Sequence, residues 1–338
     1  MSVIAVLFGT FAFSVILVAF VRRHALNRNI VDLPNMRSSH SFPTPRAGGI
    51  GIVVAFTAAI VILSRFGLIE LKSALTLVVS GGVIAGIGYI DDRWHLTAKA
   101  RLSVHFAVAV AVVALVGGFP ERELSRWGMS AYWVGLAFTV VVLTWSTNLF
   151  NFMDGIDGIA GSESIFVSSA AAWLNWLGGG DSGMTAAMLT LSAASLGCLV
   201  WNWPPARIFM GDVGSGFLGF MVTALFMMTI QRSRVPIEVL PILGGVFLVD
   251  ATTTLLRRLL RGDRWLEPHR MHAYQHLARK LGSHGRVTLA VIAVNLGWLL
   301  PWAYVADSYP GNAWICLLAA LSPLVVFALF AGAGRPEP

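Results

Sequence analysis

Five short stretches of this sequence collect the side chains able to do chemistry. The first is Asp91-Asp92, which closes the apolar run Gly86-Ile87-Gly88-Tyr89-Ile90. Adjacent carboxylates repel unless a cation sits beside them or one is protonated, and the helix dipole disfavours negative charge at a C-terminus. Mg²⁺ would meet that need through carboxylate, water and substrate-phosphate oxygens. A solvated pair countered by Arg93 and Arg101 is the other reading. The second stretch, Asn148 to Gly158, holds the amides Asn148 and Asn151, the acids Asp154 and Asp157, and two glycines. Its Asp-Gly alternation is in the wrong register for a calcium-binding helix–loop–helix, and no acid stands at the twelfth position. Amides, acids and close backbone N–H groups suit a base, a sugar or an anionic ligand; a plain polar turn is the alternative.

The third stretch is Phe209-Met210-Gly211-Asp212-Val213-Gly214-Ser215. At a helix start it could receive phosphate on free N–H groups while Asp212 holds a metal, or Asp212 or Ser215 could simply cap the helix. The fourth runs Glu267-Pro268-His269-Arg270-Met271-His272-Ala273-Tyr274-Gln275-His276. Three histidines suggest zinc, yet no cysteine is near and the oxygen-rich partners elsewhere favour Mg²⁺. Arginine and histidine can instead grip a diphosphate. The fifth joins Asp32-Leu33-Pro34-Asn35-Met36-Arg37-Ser38-Ser39-His40 to Pro45-Arg46-Ala47-Gly48-Gly49. A membrane-orienting role explains its arginines but not its proline and glycine spacing.

These residues meet only if the segments between them bring them together, and those segments are apolar. Of 338 residues, 56% are hydrophobic and 12% charged, where soluble domains carry about 25% charged. That excludes a disordered chain, a coiled coil and an ordinary soluble enzyme. Eleven stretches, near 3–21, 48–64, 73–90, 102–119, 131–147, 159–177, 184–201, 214–230, 236–256, 287–306 and 312–331, are long enough to cross a bilayer core of ~30 Å. The expected fold is an all-α polytopic membrane protein with about eleven transmembrane helices, its N-terminus outside and its C-terminus cytoplasmic.

The charges support that topology. The first apolar run lacks a basic leader and is followed by Arg22, Arg23 and His24, as in a retained span. Loops near 22–47, 91–101, 148–158, 202–213 and 257–286, with the C-terminal tail, carry 18 of the 24 Lys and Arg, which places them in the cytoplasm. Those same loops hold all five stretches. The net charge of +7 is thereby explained by orientation, and no nucleic-acid partner is expected. Cys198 and Cys316 lie in apolar runs, so no disulfide framework is indicated. No repeat or linker divides the chain, which reads as one integral-membrane domain, 1–338. Asp250, ~10 Å along its helix from the inner end at 1.5 Å per residue, is expected to face the bundle interior, as a functional group or as an interhelical hydrogen bond.

With these residues in view, the sequence resembles the polyprenyl-phosphate N-acetylhexosamine-1-phosphate transferases, glycosyltransferase family 4, the MraY/WecA superfamily. The resemblance rests on Asp91-Asp92 with Leu96 and Arg101-Leu102, then Asn-x-x-Asn-x-x-Asp-Gly-Ile-Asp-Gly, Phe-Met-Gly-Asp-x-Gly-Ser and His-Arg-x-His-x-Tyr-Gln, preceded by Pro-x-Arg-x-Gly-Gly. These run in family order from residue 32 to 276. The eleven spans and the histidine pattern are more similar to the WecA/WbpL side, which starts O-antigen or other surface glycans. Where the peptidoglycan subgroup carries lysines after the acid pair, this chain has His95, Lys99 and Arg101.

The resemblance implies a Mg²⁺-dependent phosphoglycosyltransferase of the bacterial inner membrane, with Mn²⁺ as a substitute ion. It would pass N-acetylhexosamine-1-phosphate from a UDP-sugar to undecaprenyl phosphate and release UMP. Asp91 and Asp92 would be catalytic and handle the acceptor phosphate. Asp212, with Asp92, would bind the metal. Asn151, Asp154 and Asp157 would line the nucleotide site, Phe209 would stack on uracil, and His269, Arg270 and His272 would contact diphosphate or sugar, with Arg46 and Arg101 as further substrate cations. Besides substrates and membrane lipids, a second copy in a homodimer is a partner by analogy. Asp212→Asn and Asp91→Asn are each expected to abolish turnover. The alternatives are a phospho-MurNAc-pentapeptide transferase of the same superfamily and, from another class, a secondary transporter of an anionic solute. A transporter calls for mid-membrane acids and related broken spans, whereas these acids gather at one face.

Overall fold

In lipid, every backbone N–H and C=O must be satisfied within its own segment or a closed sheet, and the long apolar runs of this chain accordingly wind into helices. The computed structural model describes residues 2–28, 30–32, 43–125, 128, 132–263 and 269–336. In chain order the helices are α1 (Val3–Asn27), α2 (Gly49–Arg65), α3 (Leu71–Trp94), α4 (Ala98–Val116), α5 (Glu121–Ser125), α6 (Tyr132–Met153), α7 (Ile159–Leu177), α8 (Ser182–Asn202), α9 (Asp212–Ile230), α10 (Val239–Leu243), α11 (Gly245–Leu260), α12 (Ala273–Leu281), α13 (His284–Val294), α14 (Leu300–Ser308) and α15 (Ala313–Phe330). A π-helical turn, Asn295–Leu299, joins α13 to α14. The described strands are β1 (Val31–Asp32) and β2 (Thr44–Pro45), antiparallel with Val31 opposite Pro45 and Asp32 opposite Thr44.

Among the described residues, eight helices are long and apolar enough to cross a membrane: α1, α3, α4, α6, α8, α9, the continuous α13–α14 and α15 with its preceding turn. The other three expected spans are helical as well, each with an identifiable difference from those eight. Helix α2 has 17 residues. Helix α7 is long enough but carries Ser162, Glu163, Ser164 and Ser168, all buried inside the bundle. Glu163 Oε2 accepts a hydrogen bond from Asn295 Nδ2 at 2.6 Å. The ninth stretch is broken at Gly244 into α10 and α11.

Helix α9 forms the centre. All of its apolar window is buried, against 22% for α1, and it packs on α2, α3, α6, α7 and α8. Two glycines permit the tightest approaches. A Cβ on Gly88 of α3 would lie 2.4 Å from the Asp212 carbonyl oxygen, and one on Gly49 of α2 would lie 2.3 Å from the Cα of Gly214. Backbone bonds complete the seam: Phe209 N–H donates to Pro45 O (2.8 Å), Gly48 N–H to Phe209 O and Gly49 N–H to Met210 O (both 2.9 Å). The proline and glycine spacing of the fifth stretch thus serves to zip residues 45–49 onto 209–210.

The connecting segments are shorter than hydropathy suggests, because the helices continue past their apolar portions. Asp91-Asp92 lie within α3 and Asn148 and Asn151 within α6, which leaves 95–97 and 154–158 as the turns. The segment 257–286 contains α12. Leu33, Pro34, Asn35, Met36, Arg37, Ser38, Ser39, His40, Glu267, Pro268 and Glu337 lie outside the described residues.

Candidate active site

At one end of the bundle, where α3, α6 and α11 finish and α4, α9, α12 and α13 begin, a cavity of about 680 Å³ opens. Its wall includes Arg46, Asp92, Arg101, Asn151, Asp154, Asp157, Phe209, Asp212, His269, Arg270 and His272. Residues scattered over more than two hundred positions therefore share one space. Asp91 is the expected site residue that does not line it.

Successive helical residues point about 100° apart at 3.6 residues per turn, so the two neighbouring acids have different partners. Asp91, 7% exposed, accepts from Leu96 N–H (2.6 Å) and from Arg101 Nη1 (2.5 Å). The same Nη1 lies 3.1 Å from Asp212 Oδ2, so Arg101 bridges two carboxylates. Asp92 instead accepts the N–H groups of Asp212 (3.0 Å) and Val213 (3.2 Å). Those N–H groups open the positive end of the α9 dipole, where a carboxylate is favoured. This corrects two expectations. The first N–H groups of α9 serve Asp92 rather than standing open for phosphate, and the cap comes from α3 rather than from Asp212 or Ser215. Ser215 Oγ accepts from Asn151 Nδ2 (3.2 Å), while Asn148 Nδ2 donates to Thr144 O (2.7 Å).

Asp154 stands between α6 and α7. Burial, and then the charges of Asp212, Asp92 and Asp157, push its carboxyl well above the usual range against the pull of Arg46. Asp157 acts as a clamp. Its Oδ2 accepts Ala206 N–H (3.0 Å), its Oδ1 lies 3.3 Å from His284 Nδ1, and its carbonyl accepts Thr288 Oγ1–H (3.0 Å). Arg46 Nη2 bonds Asp32 Oδ2 at 2.7 Å across the small hairpin.

The opposite wall is basic. His269 and His272 stack at 4.9 Å, and His272 lies 5.7 Å from the ring of Tyr274 and 6.4 Å from that of Phe152. Burial, reinforced by His272 and Arg258, pulls His269 down to about 3. Its Nδ1 is buried without a hydrogen-bond partner among the described residues. Tyr274 donates its hydroxyl to Phe152 O (3.0 Å), and burial with the charges of Asp250 and Asp154 raises its phenol well above the usual value. His276 Nδ1 sits 3.0 Å from Arg279. The three histidines thus do not converge as a zinc site would require.

Among the described residues no three of His, Cys, Asp and Glu close on one point. Mg²⁺ needs only one or two carboxylates, the remaining oxygens coming from water and substrate phosphates. Asp212 and Asp154 offer these, and the carboxylates of Asp212, Asp92 and Asp157 that act on the buried Asp154 make an acidic group whose chemistry suits a divalent cation. Asp92, with both oxygens bonded to backbone, fits better as the residue that fixes Asp212.

The cavity also has an apolar flank of Leu102, Phe106, Val141, Trp145 and Leu255. Phe106 and Val141 are exposed on the outside of the bundle, so this flank continues to its outer surface. Sequence reasoning missed His284, which lines the cavity from the first position of α13. The available signal was Ser283, whose Oγ accepts Arg286 N–H (3.3 Å) as an N-cap and so starts a helix with an imidazole at its mouth.

Residues 74–230 match the model of glycosyl transferase family 4. The chain is 30% identical over 281 residues to a probable undecaprenyl-phosphate N-acetylglucosaminyl 1-phosphate transferase of Bacillus subtilis, covering 82% of this chain and 77% of the relative. It is 28% identical over 333 residues to the undecaprenyl-phosphate alpha-N-acetylglucosaminyl 1-phosphate transferase of Escherichia coli K12, covering 93% and 87%. A decaprenyl-phosphate N-acetylglucosaminephosphotransferase of Mycolicibacterium smegmatis is 30% identical over 307 residues, covering 80% and 74%.

Proposed function

Because the chain belongs to glycosyl transferase family 4, we propose that it transfers N-acetylhexosamine-1-phosphate from a UDP-sugar to undecaprenyl phosphate. The reaction releases UMP and leaves a lipid-diphosphate sugar that starts a cell-surface glycan, at the cytoplasmic face of the bacterial inner membrane. The observation that carries this reading is the make-up of the cavity. One space joins an acidic wall, a basic wall and an apolar flank reaching the outside of the bundle. That combination suits a metal-chelated nucleotide diphosphate meeting a phosphate on a hydrocarbon chain.

Both substrates are anions, so the protein's work is to bring phosphates together and to stabilise spreading charge. Bound Mg²⁺ would supply neutralisation of the diphosphate and of the departing UMP. Asp212 and Asp154 would hold it, with Asp92 fixing Asp212 through the start of α9. His269, Arg270 and His272 face the same space and would orient the sugar phosphate. The lipid phosphate, whose second pKa is near ~6, is largely dianionic at neutral pH and needs little help from a base. Its oxygen attacks the β-phosphorus in line as the bond to UMP breaks. Asp91, turned from the cavity onto Arg101, is better placed to hold that guanidinium than to take a proton. Phe209, at the cavity wall, would stack on uracil, and Phe106, Val141 and Trp145 would guide the isoprenoid.

The test uses purified protein, undecaprenyl phosphate and a panel of UDP-sugars beginning with UDP-N-acetylglucosamine. UMP release and lipid product are scored together, with and without a chelator. Stoichiometric formation of both, stopped by chelation and restored by Mg²⁺ or Mn²⁺, is the expected result. UMP release that needs no lipid acceptor would sink the reading.

A further inference from the structure

Asp250 is a carboxylate that the mechanism above leaves unused. It sits within α11, 4% exposed, and is absent from the cavity wall. An isolated charge in such a place is costly unless donors surround it, and four do. Ala273 N–H and Tyr274 N–H each donate at 2.9 Å, Thr254 Oγ1 at 3.2 Å, and His272 Nδ1 lies 3.3 Å away. The two backbone donors are the first N–H groups of α12, normally served by a Ser, Thr, Asp or Asn at the N-cap position. Here His272 occupies that position, and its ring forms part of the cavity wall.

We propose that Asp250 is a positioning residue for the transfer, taking from α11 the first two N–H groups of α12 beside the Gln275 side chain that accepts His272 N–H, and holding His272 Nδ1–H so that Nε2 is presented to the donor diphosphate. The division of labour frees the helix start for an imidazole. A hydrogen bond at one ring nitrogen fixes the orientation of the ring and leaves the other nitrogen for a ligand. The ring is also faced by His269 and Tyr274 from its own segment and by Phe152 from α6, with Arg258 of α11 acting on His269. Of these groups, Asp250 is the one that bonds it.

The inference rests on the proposed reaction, and the test separates the two. Asp250→Asn, His272→Gln and the double variant are assayed beside the unaltered protein, with folding followed by thermal midpoint in detergent. Asp250→Asn is expected to lower kcat about 10–100-fold, as loss of an outer-shell partner does elsewhere, with KM for the UDP-sugar changed less than about threefold. In the His272→Gln background the same change costs less than about threefold, since coupled residues are non-additive. Full additivity, or a loss carried mainly by KM, would reduce Asp250 to a structural cap and overturn the proposal. If Asp250→Asn does not fold, Thr254→Val, which removes one bond to the same Asp250 oxygen, is taken through the same cycle with the same two criteria. No UMP release from the unaltered protein would defeat the reaction itself.

Discussion

The two walls of the cavity are assembled by one device and left in opposite electrical states. On each, an aspartate reaches from one helix to the N-terminus of another and takes two backbone N–H groups: Asp92 from α3 onto α9, and Asp250 from α11 onto α12. The helix capped by Asp92 opens with Asp212, facing Asp154 and Asp157, with Arg46 and Arg101 in partial balance. The helix capped by Asp250 follows His269, Arg270 and His272. The comparison teaches that capping sets where a functional side chain stands, while its neighbours set the local charge: Asp154 and Asp157 beside Asp212, Arg270 beside His272. The chelated diphosphate of the proposed reaction, laid between the walls, would meet both.

The strongest attempt to break this asymmetry is Asp212→Asn. It removes a carboxylate from the acidic wall while the Asp92 cap stays, so kcat should fall by at least about 10²–10³-fold, some 3–4 kcal/mol of transition-state stabilisation, with the thermal midpoint nearly unchanged. Near-normal turnover would remove Asp212 from its role. Asp91→Asn sharpens the comparison within one wall. Sequence alone ranks it with Asp212, but its contact is to Arg101 rather than to the cavity. Loss of one charged hydrogen bond at about 1.5–3 kcal/mol corresponds to roughly 10–100-fold, and Arg101→Gln should show a loss of similar size that does not add to it. Equal, additive losses would place Asp91 on the substrate instead.

The smallest effect concerns the basic wall. His269 is held down at about 3 from an ordinary 6.5, so between those values the unfolded chain takes a proton that the folded one refuses. Stability should therefore fall as pH drops through that window. His269→Gln should flatten this part of the thermal-midpoint profile, and an unchanged slope would show that the ring is charged in the folded protein.

How much of this could be read from residue order varies with the range of the contact. Asn148 and Asn151, three apart, share a helical face by local geometry, although the helix that carries them runs further than its hydropathy implies. The adjacency of Asp91 and Asp92 correctly raised the question of what compensates them. The answer lay at Arg101 and at the backbone of residues 212 and 213, and no local pattern encodes a bond across 120 positions. The Asp157–His284 contact was invisible for the same reason. Hydropathy found the surroundings of the site and the bounds of α7, but not the break at Gly244 that divides the ninth stretch.

Enclosure of α9 has a consequence for how this chain tolerates change. A lipid-facing residue of α1 or α15 can exchange one hydrocarbon side chain for another because fluid acyl chains reshape around it. From Val213 to Ile230 every side of α9 meets another helix, so a methyl group gained or lost there has no fluid neighbour to absorb it. The rotation of Asp212 is thereby set by the volumes of residues that never touch a ligand, and selection for turnover would be felt along the whole length of a helix that presents a single carboxylate to its substrate.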